Sequence, residues 1–246
     1  SGERVFNIID THSSIVKQGT LKAKNLKGNI TFENVRFSYI KGEEVLKGIS
    51  LEVQEGQTVA IVGATGAGKS TIINLINRFY EIDSGEIAVD TVSVQNYELE
   101  SIRKQVAIVL QDVFLFSDSI LNNITLKNNA ISLAEVTLAA KQIGIHKFIM
   151  SLPGNYSYNV KERGGMLSSG QRQLIAFLRA YVSNPSILIL DEATSSVDSY
   201  AEQMIQFATE TITKDRTSIV IAHRLATIKQ ADKIIVMDKG LIVEEG

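Results

Sequence analysis

The stretch Gly63-Ala64-Thr65-Gly66-Ala67-Gly68-Lys69-Ser70-Thr71 carries the plainest chemistry in this 246-residue chain. It fits G-x-x-x-x-G-K-[ST] and stands between a short apolar run, QTVAIVG (57–63), and a run of helical spacing, STIINLINRFY (70–80). A strand before and a helix after is the context the motif requires. Glycines let the backbone curl around phosphate without Cβ clashes. The N–H groups of the loop and of the helix N-terminus then face an anion. Lys69 is placed to reach β- and γ-phosphates, and the Ser70 hydroxyl to ligate Mg2+. The bland alternative is a Gly-rich turn with a chance Lys-Ser, and the flanking strand and helix count against it.

Two further stretches carry chemistry. SILILDE (186–192) is an apolar strand ending in two acids. Asp191 then sits at the carboxyl edge of a parallel sheet, where ligands bind, and can hold Mg2+ through water. Glu192 follows it and can accept a proton from water attacking a γ-phosphate. Alone, the pair reads equally well as solvated strand-end acids. MLSSGQRQL (166–174) puts two serines and a glycine before an apolar-periodic run, the pattern of a helix start with free N–H groups. It lies roughly 100 residues after the first loop.

These residues need a sheet to position them. ITFENVRF (30–37) and ISLEV (49–53) nearly alternate, as strands with one buried face do. QTVAIVG, VAIVLQD (106–112), SILILDE, TSIVIAH (217–223) and KIIVMD (233–238) are almost wholly apolar, as expected of buried parallel strands. Between Asp112 and Ser186, SLAEVTLAAKQIG (132–144) and SGQRQLIAFLRAYV (169–182) read as helices with no strong strand among them. The expected fold is therefore α/β: a mostly parallel sheet interrupted by a helical insertion.

Composition narrows the function classes. Hydrophobic residues make up 44% of the chain, enough for a large core. Net charge is −2, from 25 basic and 27 acidic residues, so no strong field favours nucleic acid or anionic lipid. The absence of cysteine excludes disulfides and thiolate metal sites, and a reducing compartment fits. No apolar run approaches the roughly 18–20 residues of a membrane span. The start of the chain lacks the pattern of a signal peptide. Residues 1–29 are polar and loosely patterned apart from RVFNIID (4–10), and read as a linker or arm.

The loop at 63–71 and the acids at 191–192 bracket LSSGQ (167–171), and in that arrangement the chain resembles the nucleotide-binding domain of an ABC transporter from about residue 30 onward. The resemblance implies a P-loop NTPase core (30–112 and 183–246) with an N-terminal antiparallel β subdomain. The helical subdomain (113–182) then carries the signature loop. Tyr39 matches the aromatic that stacks on adenine, a face without specific hydrogen bonds. Gln111 matches the glutamine between core and helical subdomain that bonds Mg2+ and the attacking water. Ser168, Ser169, Gly170 and Gln171 match the signature loop. SSVD (195–198) matches the loop after the catalytic glutamate, in which Asp198 would face a partner domain, and His223, in IAHR, matches the switch histidine that contacts the γ-phosphate. Taken singly, Tyr39 is a strand-end tyrosine, Gln111 a loop glutamine and His223 a structural histidine; their order gives them these roles. His12 and His146 fit no motif and read as surface or packing residues. The helix holding Arg172 and Arg179 reads as mainly structural.

NVKERGGMLSSGQRQ (159–173) resembles the segment before the signature in ABC exporters, with Glu162 at the glutamate that contacts membrane-domain coupling helices. RVFNIID resembles the stretch joining an exporter's last membrane helix to its ATPase. The resemblance thus implies an ATP- and Mg2+-dependent motor domain at the cytoplasmic face of the cell membrane, soluble when isolated. Two such domains, the same or a paired half, would close head-to-tail on two ATP, and nucleic acid is not an expected partner. The alternatives are a non-transport ABC ATPase acting as a nucleotide-gated clamp, and a degenerate regulatory half. Two departures from the family pattern stand out. Ser169 replaces the glycine of Leu-Ser-Gly-Gly-Gln: a positive φ there would weaken the site, whereas a first-turn position suits serine. TVSVQNY (91–97) lacks the glycine usual after that strand, an effect expected only on a surface turn.

Overall fold

The computed structural model of the chain describes residues 19–191, 199–222 and 225–246. In chain order the elements are β1 (Ile30–Ser38), β2 (Glu44–Val53), β3 (Thr58–Gly63), α1 (Lys69–Ile76), β4 (Ser84–Val89), β5 (Val92–Ser93) and α2 (Leu99–Lys104). There follow β6 (Val106–Val109), α3 (Ile120–Thr125), α4 (Leu133–Gln142), α5 (His146–Ser151), α6 (Ser169–Val182) and β7 (Ile187–Asp191). The last are α7 (Ser199–Thr213), β8 (Thr217–Ile221), α8 (Leu225–Gln230), β9 (Lys233–Asp238) and β10 (Leu241–Glu245).

The apolar strands build one six-stranded sheet, ordered β10-β9-β3-β8-β7-β6. Every pair in it is parallel except β10 with β9. Side chains alternate across a strand, so a buried parallel strand must feed two cores. Here Val59, Ile61, Ile187, Ile189, Ile219 and Ile221 enter one core, while Ala60, Leu188, Leu190, Val220 and Ala222 enter the other. The first core is shared with α1 and a four-stranded antiparallel sheet, β2-β1-β4-β5. The second is shared with the helical insertion, through Leu115, Ile124, Val136, Phe148, Leu174 and Phe177. The expected α/β class with an antiparallel β subdomain and an inserted helical subdomain is the one observed.

Boundaries differ where a side chain overrides periodicity. The helix expected over 70–80 stops at Ile76. Arg78 then turns left-handed (φ 50). Its side chain is 2% exposed, and its guanidinium donates to the carbonyls of Val94 and Tyr97 and pairs with Glu81 at 2.8 Å. Residues 19–29 of the expected arm lie along the β subdomain. Leu21 N–H donates to Asn96 O and Leu21 O accepts from Glu98 N–H. The Asp90 carboxylate accepts from the N–H groups of Lys27, Gly28 and Asn29 at 2.6–3.0 Å. Asp90 and Thr91 both have positive φ (50 and 67) in the turn where the family's usual glycine is missing. His146 is a packing residue, its Nδ1 2.9 Å from Tyr156 Oη.

Candidate functional site

The loop at 63–71 is held open by its backbone. Gly63 (φ +149) packs so closely that a Cβ would meet Met237 O at 2.2 Å, and at Gly68 (φ +102) a Cβ would meet Leu46 Cδ2 at 2.7 Å. Neither position has room for a side chain, and Gly68 also takes a left-handed conformation natural only to glycine. Gly68 is the N-cap of α1, and no side chain caps that end. Thr71 N–H turns back on Gly68 O at 3.1 Å, and the N–H groups ahead of it keep their capacity for an anion.

Lys69 folds back over the loop, its Nζ donating to Gly63 O at 2.7 Å and Ala64 O at 2.9 Å. Those carbonyls hold the ammonium inside the curl, where an anion on the loop would meet it. Burial pushes the Lys69 ammonium below the ordinary lysine range, and the charge of Asp191 partly opposes that shift.

A cleft of about 570 Å³ joins the loop to the sheet edge. Thr65, Gly66, Gly68, Lys69, Ser70 and Thr71 line it together with Tyr39, Gln111 and Asp191. The polar groups come from three separate places: Lys69 and Ser70 from α1, Gln111 from just after β6, and Asp191 from the end of β7. Parallel strands end side by side, so residues far apart in sequence meet there. Gly63, Ala64 and Ala67 build the loop itself. Val45 and Ile221 also line the cleft. No sequence signal marked those two, because apolar wall residues follow no motif. Glu192, Asp198 and His223 lie outside the described residues.

Ser168, Ser169, Gly170 and Gln171 are not among the residues lining that cleft; they open α6 on the helical subdomain. Ser168 is the N-cap, with φ −65 and ψ 165. Its Oγ accepts from Gln171 N–H at 3.2 Å, while Gln171 Oε1 accepts from Ser168 N–H at 3.0 Å. This reciprocal box satisfies two of the donors a helix start leaves open. Ser169 is the first helical residue, so of the two readings of that position the first-turn one holds. Just upstream, Lys161 (φ 61) and Arg163 (φ 52) flank the exposed Glu162 in a left-handed turn. Gly164 closes the turn against Leu115 and Arg172. Arg179 of α6 donates to Asn123 O at 2.8 Å, tying the signature helix to α3.

The family model described as ABC transporter matches residues 46–195. Over the whole chain, identity is 43% to the fatty acid ABC transporter ATP-binding/permease protein of Mycobacterium bovis, of which it spans 39%. Identity is 44% to the ABC transporter ATP-binding protein YknV of Bacillus subtilis, also over the whole chain and 41% of that protein. Among solved structures, a bacterial Atm1-family ABC exporter with ATP bound matches with a TM-score of 0.89 and 42% identity, over 100% of this chain and 43% of that one. The chain thus spans about two fifths of these relatives. Among the described residues, no helix is long and apolar enough to cross a membrane.

Proposed function

This chain belongs to the ABC transporter family, and we propose that it is the ATP-binding and ATP-hydrolysing motor domain of an exporter. One observation carries the reading. Tyr39, Lys69, Ser70, Gln111 and Asp191 share a cleft, whereas Ser168–Gln171 stand off it on another subdomain. A nucleotide in the cleft is then covered on one side only, and a second copy or a paired half presenting its own α6 start completes the site. The distance in sequence between the two phosphate-binding helix starts has that meaning: each serves a different nucleotide.

The donor set fits Mg2+. A hydroxyl (Ser70), an amide oxygen (Gln111) and a carboxylate (Asp191) are oxygen ligands of the kind a hard cation takes, and all three line the cleft. Bound there, the ion would neutralise charge on the β- and γ-phosphates. Tyr39 offers its ring to adenine. The glycine loop and the α1 N-terminus offer N–H groups to phosphate, and the Lys69 ammonium exchanges its two carbonyl partners for phosphate oxygens. Glu192, next to Asp191, takes the proton from the attacking water, and His223 holds the γ-phosphate. Asp198 and the 168–171 helix start face the partner domain.

Charge-assisted bonds to the γ-phosphate would close two domains, and hydrolysis would release them. The membrane domain is engaged through Glu162 and neighbouring residues, so that closure drives substrate export at the cytoplasmic face of a membrane. The test is steady-state ATPase measured against protein concentration. A site needing two chains gives a rate that rises faster than linearly until the dimer saturates. A strictly linear rate contradicts the shared site.

A further inference from the structure

Tyr39 follows β1 in a short connection and is 46% exposed, so its ring needs something to fix it. Four neighbours do so. Asn74 Nδ2 donates to Tyr39 Oη at 3.0 Å. The phenol oxygen also lies 3.3 Å from Thr71 Oγ1, in a hydrogen bond that either hydroxyl can donate. Tyr80 packs edge-to-face on the ring, with centroids 5.0 Å apart and planes at 88°. Phe37, 2% exposed, makes a similar contact from the core side at 4.7 Å. Asn74 and Tyr80 do not line the cleft, whereas Tyr39 does. They act on the ring from behind.

Thr71 and Asn74 are three residues apart, on one face of the helix that begins in the phosphate loop. The hydroxyl of the base-stacking ring is therefore fastened to the element that carries Lys69. Asparagine is a poor helix former beside alanine or leucine, so this position is not explained by propensity. Freezing the ring before binding removes an ordering cost that would otherwise weaken the complex.

We propose that Asn74, assisted by Tyr80, is a positioning residue for nucleobase recognition, holding Tyr39 at a fixed distance from the phosphate loop. This rests on the reading of the cleft as an ATP site. The link acts on the base alone. Losing it weakens ATP and leaves a base-free anion untouched, a pattern that a general loss of structure does not produce.

The experiment is calorimetric titration of the 246-residue chain and its Asn74→Ala variant with Mg-ATP and with inorganic triphosphate, alongside steady-state ATPase. The expected result is a Kd for ATP raised about fivefold, the factor of one ordinary hydrogen bond, with triphosphate affinity and kcat unchanged. Tyr39→Phe keeps the ring, loses the hydroxyl with both of its bonds, and should weaken ATP at least as much while sparing triphosphate. The double variant should be no weaker than Tyr39→Phe alone. Equal weakening of both ligands, or additive effects, overturns the proposal in favour of a structural role. If the parent chain binds ATP and Asn74→Ala matches it, the link falls while the ATP reading stands. A parent chain that binds neither ligand refutes both.

Discussion

Replacing Ser169 with glycine restores the residue more usual in the family signature, and the structure gives that change a sign. Ser169 is the first residue of α6, beyond an N-cap whose capping box is complete. A helical backbone gains nothing from glycine. The unfolded chain gains freedom, and the cost in a helix is roughly 0.5–1 kcal/mol, less in the first turn. Ser169→Gly should therefore destabilise by about 0.5 kcal/mol, lowering Tm by about 1–2 °C in a domain of this size. Ser168→Ala removes the Oγ that accepts from Gln171 N–H and should cost more, about 1 kcal/mol and 2–4 °C. The assay is urea denaturation, with thermal melts as a check, on the parent and the two variants at one pH. If Ser169 instead held a left-handed conformation, glycine would relieve about 1–2 kcal/mol and raise Tm. A stabilised Ser169→Gly chain would falsify the assignment of Ser169 to the first turn.

Two further outcomes follow from local geometry. Thr91 is an exposed, β-branched residue at φ 67 beside Asp90 at φ 50, so Thr91→Gly should stabilise by about 0.5–1 kcal/mol in urea denaturation, strain relief outweighing lost unfolded-state restriction. No gain would mean that the turn is unstrained. The carboxyl of Asp118 is held down to about 2 by hydrogen bonds from Asn122 and Lys127 and from the Ser119 N–H, against an ordinary 3.8. A depressed carboxyl contributes stability above its unfolded value that disappears as pH falls through its folded one. Asp118→Ala should thus be less stable than the parent at pH 7, with the gap narrowing between about pH 4 and pH 2. A gap independent of pH would remove the charge from the explanation.

Much of the architecture was legible because the chain's strongest signals are local. Apolar runs of five or six residues gave the parallel strands, and 169–182 coincides with α6 because Ser168 and Gln171 mark its start. The 233–238 strand was likewise read to the residue. What escaped depended on tertiary context. SGEIAV (84–89) carries little periodicity, and it is a strand because β1 pairs with it. α8 has no buried residue and so no apolar stripe to read. α1 ends early because Arg78 finds partners in residues 94 and 97. At the site, the motif residues Lys69, Ser70, Gln111 and Asp191 were readable because each sits at a strand or helix end that a short pattern marks. Asn74 and Tyr80 were not, since their partner Tyr39 lies more than thirty residues away in sequence.

The central claim is that one copy's cleft is completed by another copy's signature helix, and that Glu192 drives the turnover that separates them. Its most direct test is the Glu192→Gln chain in sedimentation velocity, with and without Mg-ATP, beside its ATPase rate. The account predicts a monomer without nucleotide, a dimer that accumulates with ATP, and hydrolysis far slower than that of the parent. A Glu192→Gln chain that stays monomeric at saturating ATP, or hydrolyses ATP at the parent rate, contradicts it.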